Sequence, residues 1–535
     1  MKKLIYSLAI ALMLSATTYA QTPREEIDLK TWQHLSLEDS GVYGVNTQKA
    51  LDFLKSKNRK GQPFVVGVLD SGVEITHEDL KDNVWVNTKE KKNGKDSDKN
   101  GYIDDINGWN FIGGKDGKNV DADTTEITRE LVKYKALFET DKNAEANRTK
   151  YASQYEYYKK LKSKYEEDLA EAKQYYAQYS TIYDNLQKPV NILIEDIGDQ
   201  KLTEEFMLSY TPKSDEAKQA MILFAMVPPE AWKGKTMREF GTETLNEINE
   251  GVKHFKEQID YHYNLSYDPR TIVGDNYNNK NEKGYGNSDV DGPDSNHGTH
   301  VSGIIAAKRN NGIGIDGIAG DGNVKIMSVR TVPNGDERDK DVANAIRYAV
   351  DNGAKVLNMS FGKGYSPDKE IVWEAFKYAQ DKGVLLVKAA GNEDINIDVE
   401  ANFPTDFNEK GEKISNNVIT VGSSTSDTKN LKSSFSNYGK KGVDVFAPGS
   451  EIYSSIPTRD GKYKSNSGTS MASPVVAGVA ALVWSHYPEL TYLQVKEIIL
   501  NSVNKNDQLA DISVTGGVVD AYKAVQLADK MVSKK

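Results

Sequence analysis

Short apolar runs alternate with helical stretches over most of this 535-residue chain, and that alternation leaves few folds open to it. Phe64-Val65-Val66-Gly67-Val68-Leu69 has the continuous apolar character of a strand buried on both faces, the habit of parallel sheets. Residues 325–330 and 355–359 read as further strands, with helices at 339–351 and 369–381. Strands beginning at Val384, Val418 and Val443 follow, then helices from Ser470, Thr491 and Gly517; residues 47–56 read as a helix ahead of the first strand. Strand and helix in turn predict an α/β fold, a mostly parallel sheet with helices on both faces. Chemistry in such sheets gathers at the carboxyl ends of the strands, and Asp70 stands at the end of the first.

Three polar segments suit nucleophilic attack on a carbonyl. They are Asp70-Ser71-Gly72, His297-Gly298-Thr299-His300 and Gly468-Thr469-Ser470-Met471-Ala472-Ser473-Pro474. A serine hydroxyl is a weak nucleophile until a base lies within hydrogen-bond reach and a third group orients that base. Ser470, His297 and Asp70 supply those roles, and their order along the chain is one of the known orders for such a triad. His297 and Ser470 each open a run of small and apolar residues that suits a tightly packed helix. The first-turn N–H groups of the second helix would face a reacting carbonyl. His300 reads as a packing residue, and His34, His77, His254, His262 and His486 as structural or solvated.

With their flanking residues these segments resemble the subtilisin-like serine protease family (subtilase, peptidase S8) over roughly residues 51–119 and 268–528. The resemblance implies a subtilisin-like fold and an endopeptidase acting on protein or peptide substrates through an acyl-enzyme. Within it, Ala389-Ala390-Gly391-Asn392 matches the turn that presents an oxyanion-stabilising asparagine, so Asn392 joins Asp70, His297 and Ser470 as a candidate catalytic residue. Ser360, Phe361 and Gly362 resemble the strand that pairs backbone to backbone with an extended substrate, which predicts broad specificity. Ala390 and Gly391 would line the same cleft. Asn402-Phe403-Pro404 resembles the floor of the pocket for the side chain before the scissile bond; a small residue is usual where Asn402 falls, so a shallower or more polar pocket is expected.

The chain departs from the small family members between the first two segments, where 227 positions separate Asp70 from His297. Residues 120–267 turn polar and rich in Lys, Glu and Tyr, and their apolar positions recur at helical spacing. Tyr151, Tyr155, Tyr158, Tyr165, Leu169, Ala172, Tyr176, Tyr179, Tyr183 and Leu186 form a coiled-coil-like stripe broken at Lys162. Leu245, Ile248, Val252, Phe255 and Ile259 form a second, with a shorter buried helix at 217–227 between them. An inserted all-helical subdomain is therefore predicted, dividing the chain into residues 1–20, 21–119, 120–267 and 268–535. Leaving and rejoining the core between two catalytic residues, it either limits which substrates enter or is a solvent-facing helical hairpin with a tyrosine seam and no such role.

Asp96, Asp98, Asn100, Tyr102 and Asp104 follow the spacing of a calcium loop, with Gly101 at the turn, although Asn107 stands where a bidentate glutamate belongs. A structural calcium ion is the cofactor this spacing suggests, with a polar, acidic turn that binds no ion as the alternative. Lys2 and Lys3, an apolar run from Leu4 to Leu14 and Thr18-Tyr19-Ala20 read as a secretory signal peptide over residues 1–20, so a secreted or periplasmic protein is expected. No later stretch is apolar enough to span a bilayer. The chain has no cysteine, so core burial without disulfides must stabilise it. Net charge of −10 argues against nucleic acid as a partner. Only about fifty residues precede Asp70 after Ala20, so folding without a separate inhibitory prodomain is expected. A catalytically silent protein of the same fold, binding partners through the helical insertion, is the alternative that sequence leaves open.

Overall fold

A computed structural model describes residues 27–224 and 226–534; the expected signal peptide lies outside the described residues. The strands are β1 (Phe64–Asp70), β2 (Gly108–Asn110), β3 (Val324–Arg330), β4 (Val356–Met359), β5 (Leu385–Ala389), β6 (Val418–Ser424), β7 (Val445–Pro448), β8 (Ile452–Ser455), β9 (Tyr463–Asn466), β10 (Val503–Lys505) and β11 (Gly517–Val519). Nine of them form one sheet in the order β10-β11-β7-β6-β5-β4-β1-β3-β2. Every pairing in it is parallel except that of β10 with β11, while β8 and β9 make a separate antiparallel pair. The chain runs from β1 to β3 on one side and then crosses to β4 on the other, so the strand order reverses at β1. The crevice at the carboxyl edge beside such a reversal is where open α/β sheets place their chemistry.

The strands are apolar throughout because both faces are covered. Val66, Val68, Leu385 and Val387 enter one core, shared with the helices Thr47–Ser56, Asn296–Ala306, Thr469–His486 and Ala521–Val532. Leu69, Leu357, Met359 and Leu386 enter the other, shared with Asp339–Asp351 and Lys369–Asp381. Alternate residues of a strand point to opposite faces, so one continuous apolar run feeds two cores. The helix Thr469–His486 is apolar on every side and buried from Met471 to His486, as a helix threaded through a core must be. One boundary differs from the sequence reading: Gly517 opens β11, not a helix. The last helix starts at Ala521, where the Asp520 carboxylate caps it by accepting the Lys523 N–H at 2.8 Å.

Thr128–Ser266 clusters as one compact unit, and the chain on either side of it as the other. The first is helical, built on Ala152–Ile197 and Met237–Glu257 with the short helix Asp215–Phe224. Its seam follows the predicted four-three rhythm through Tyr158, Tyr165, Ala172 and Leu186; Leu161 is buried beside the predicted break at Lys162, and Ile182 is buried where the stripe has Tyr183. Phe255 stacks on Tyr175 with ring centroids 5.0 Å apart, and a Cβ on Gly251 would lie 2.4 Å from the Tyr179 ring, so glycine lets these two helices close. Among the described residues no helix is long and apolar enough to cross a membrane.

Candidate active site

Asp70 is the last residue of β1, and its carboxylate is almost wholly buried. Oδ1 accepts the Ser71 N–H at 2.8 Å and lies 2.7 Å from His297 Nδ1. His297 sits in the first turn of Asn296–Ala306, and Gly298 beside it explains how that turn comes so close. A Cβ at Gly298 would lie 2.1 Å from the Gly72 carbonyl oxygen and 3.1 Å from Asp70 Cβ. Only glycine permits this approach, and with it the carboxylate–imidazole contact. Burial pulls the His297 pKa down, but the Asp70 charge and hydrogen bond outweigh it, so the net shift is upward from 6.5. Three residues on, His300 is fully buried with Nε2 3.1 Å from the Lys464 carbonyl oxygen, and burial pushes it down to about 3. It is a neutral packing residue.

Ser470 stands in the first turn of Thr469–His486, where N–H groups lack intrahelical acceptors. Pro474 has no N–H to give the Ser470 carbonyl four residues back. The Ser360 hydroxyl donates to that carbonyl at 2.8 Å instead. Ser360 Oγ in turn accepts from Asn358 Nδ2 at 2.9 Å, and Asn358 Oδ1 accepts from the Ser473 hydroxyl at 2.8 Å. This buried network ties β4 to the helix that carries Ser470. The Ser470 hydroxyl donates to the Ser360 carbonyl at 3.0 Å and, among the described residues, makes no hydrogen bond to His297. Sequence reasoning took Ser360 as substrate-binding backbone and missed both of its contacts to Ser470; the proline four residues after the serine was the available signal.

Asn392 follows β5. Its Oδ1 accepts the Thr469 N–H at 2.8 Å and the Thr469 hydroxyl at 3.0 Å, and Thr469 Oγ1 accepts the Gly391 N–H at 3.1 Å. With Oδ1 anchored, Nδ2 is the end left to donate. Gly391 has φ +103°, which favours glycine, and a Cβ there would press within 2.9 Å of Asn402 Nδ2. Asn402 is held close because Phe403 exchanges backbone hydrogen bonds of 2.9 and 2.8 Å with Lys363, just past Gly362. Ser360, Phe361, Gly362, Ala390, Gly391 and Asn402 thus come together from the ends of β4 and β5 and the segment before Phe403.

The acidic loop takes a different shape from the one its spacing suggested. Asp96 accepts the Asn100 and Gly101 N–H groups, Asp104 those of Asn93 and Gly94, and Glu90 and Asp98 likewise accept the Ser97 and Asn100 N–H groups; what sets Asp98 apart from Asp96 and Asp104 is its nearness to two further carboxylates. The Tyr102 ring packs against Trp109 and Tyr348. Asp98 is brought instead to Glu90 and Asp105, with a carboxylate oxygen of each within 4.8 Å of the others. Burial pushes the Asp105 carboxyl up to about 6, against hydrogen bonds from Tyr348, Asn100 and Asn87. Three carboxylates this close, one held up by burial, fit a hard cation such as calcium. The run Asp104-Asp105 is visible in sequence; the loop template takes Asp104, whereas the cluster of three carboxylates contains Asp105.

The chain belongs to the subtilase family, whose family model matches residues 61–517. It is similar to thermitase of Thermoactinomyces vulgaris, 42% identical over 236 residues that make up 43% of this chain and 75% of that one. The thermophilic serine proteinase of Bacillus sp. (strain AK1) is 40% identical over 252 residues, 45% of this chain and 56% of that one. Among solved structures, a protease of Pseudoalteromonas arctica PAMC 21717 aligns with 95% of this chain and 100% of its own at 20% identity, with a TM-score of 0.48. The family is one of serine peptidases acting on proteins, and this member carries a large helical insertion between β2 and β3.

Proposed function

We propose that this chain is an exported serine endopeptidase of broad specificity, with Ser470 as nucleophile, His297 as general base and acid, and Asp70 as the group that orients His297. The observation that carries the reading is the 2.7 Å hydrogen bond between Asp70 and His297, at the carboxyl edge where Ser470 and Asn392 also meet. Asp70 holds the proton on Nδ1 and leaves Nε2 to accept. The Ser470 hydroxyl turns from the Ser360 carbonyl to His297 Nε2 as substrate arrives, such contacts being loose until then. Oγ attacks the scissile carbonyl while its proton passes to Nε2, and Asn392 Nδ2 with the Ser470 N–H holds the oxyanion. The tetrahedral species collapses as His297 gives its proton to the leaving amine. Water, deprotonated by His297, then hydrolyses the acyl-enzyme and regenerates the serine.

Asn392→Ala should lower kcat by roughly a hundred- to a thousandfold with KM nearly unchanged, because the donor acts on charge that exists only in the transition state. Steady-state kinetics on a quenched peptide checks this. A loss below tenfold, or one confined to KM, would speak against the role. Export through residues 1–20 predicts that the processed chain begins near Gln21, which N-terminal sequencing of the exported protein reads directly.

Glu90, Asp98 and Asp105 are proposed to hold one calcium ion, which neutralises their repulsion and fastens the loop between β1 and β2. At free calcium about a hundredfold above Kd, binding adds about 2.7 kcal/mol to stability. EGTA should lower the melting temperature by several degrees and added calcium restore it. An identical melting curve in EGTA and in calcium contradicts the site.

A further inference from the structure

A cavity of about 340 Å³ lies beside the substrate segments, bordered by Asn402, Phe403, Trp373, Thr420 and Lys388, and the mechanism above does not use it. Lys388 is the feature that asks for an explanation. It occupies a central strand, where its neighbours Leu386 and Val387 feed the two cores, and it is only 2% exposed. A buried ammonium is costly unless it is paired, yet Lys388 Nζ has no hydrogen-bond or ion-pair partner among the described residues. Lys369, Glu409 and Asp398, also on the cavity wall, are already engaged, and Lys441 meets the wall through its backbone N–H. Lys369 pairs with Glu409 at 3.0 Å, and the Asp398 carboxylate accepts the Lys441 and Gly442 N–H groups.

Asn402 stands between this cavity and the cleft. A Cβ on Gly362 would lie 2.8 Å from Asn402 Oδ1, and one on Gly391 would lie 2.9 Å from Nδ2, so the amide touches both segments that flank the substrate side chain. Its Oδ1 is buried without a hydrogen-bond partner. Of the two buried groups only Lys388, a cation behind the wall, calls for an anion; Asn402 Oδ1 is an acceptor and would be met by a donor. We infer that the subsite for the residue before the scissile bond selects a carboxylate side chain, with Asn402 Nδ2 donating to it and Lys388 balancing its charge from behind. The inference rests on the serine-protease reading and adds one selective position to otherwise main-chain recognition. Glutamate should be favoured over aspartate, because its longer chain brings the charge nearer Lys388.

Burial pushes the Lys388 pKa down to about 8, while Asp406, Glu337, Glu393 and Asp444 around it act in the opposite sense. The group is thus mostly charged at pH 7 and loses its charge as pH rises past that value, so the preference should fade in the alkaline range. The test compares quenched peptides that differ only in glutamate, glutamine or leucine before the scissile bond, cleaved by the full chain, with fluorophosphonate labelling alongside. At pH 7 kcat/KM for glutamate should exceed that for glutamine more than tenfold, and the ratio should fall as pH rises from 7 to 10. In Lys388→Met the ratio should drop toward one, and in Lys388→Arg it should stay well above one. A ratio near one in the labelled wild-type protein overturns the inference while the protease reading stands, whether or not the variants fold. Absence of both cleavage and labelling removes both.

Discussion

Ser470→Ala should lower kcat by roughly a millionfold, the scale on which a triad nucleophile acts, while leaving the melting temperature nearly unchanged. The stability half of this expectation follows from the local contacts. Among the described residues the hydroxyl makes one hydrogen bond, to the Ser360 carbonyl, and the helix is held by other groups: the Ser360 hydroxyl on the Ser470 carbonyl, and Asn392 Oδ1 on Thr469. Such a neutral bond contributes about 1 kcal/mol. Removing it leaves the apolar helix Thr469–His486 buried as before. The activity half follows because no other group stands where Oγ does; the residual rate would come from oxyanion donors and substrate positioning. Kinetics beside a thermal melt separates the two. A variant that retains a tenth of the activity would exclude Ser470 as nucleophile, and the silent-binding alternative predicts no activity to lose.

Asp70→Asn should cost about ten-thousandfold in kcat, because an amide in place of the carboxylate lets His297 take the tautomer that presents a proton, not a lone pair, to Ser470. It should also move the acidic limb of the pH profile. Asp70 raises the His297 pKa above 6.5, and the base works only when neutral, so kcat/KM for the parent should rise with pH through a value above 6.5. Without the charge that limb should shift to lower pH. The same linkage applies to stability. A raised folded pKa contributes stability that is full below 6.5 and disappears as pH climbs through the folded value, so the Asp70–His297 pair should stabilise the acidic side of neutrality. A limb that stays in place in Asp70→Asn would mean that another group sets it.

Much of this was legible in the sequence because the relevant signals are local. The strand at Phe64, the helices 339–351 and 369–381 and the seam through Tyr158, Tyr165 and Ala172 follow from periodicity, which packing then respected. The pieces of the candidate site were legible because each ends a strand or opens a helix within a few distinctive residues. What escaped depends on contacts between distant segments. The Ser360–Asn358–Ser473 network links residues more than a hundred positions apart, and the role of Gly298 depends on the chain at Gly72. In the acidic loop the spacing of Asp96, Asp98 and Asp104 suggests ligands, but which carboxylates come together depends on how the loop folds back, and that places Glu90 and Asp105 beside Asp98. Gly517 was read as helical because its apolar neighbours fit either period, and the pairing of β11 with β7 decided for strand.

The most direct test is to expose the folded full chain to a fluorophosphonate, digest it and locate the adduct by mass spectrometry, while following peptide hydrolysis in the same sample. A single adduct on Ser470, formed in step with the loss of hydrolysis and absent in Ser470→Ala, is the predicted result. A folded chain that takes up no label, or one labelled at another serine with hydrolysis intact, would contradict the catalytic reading.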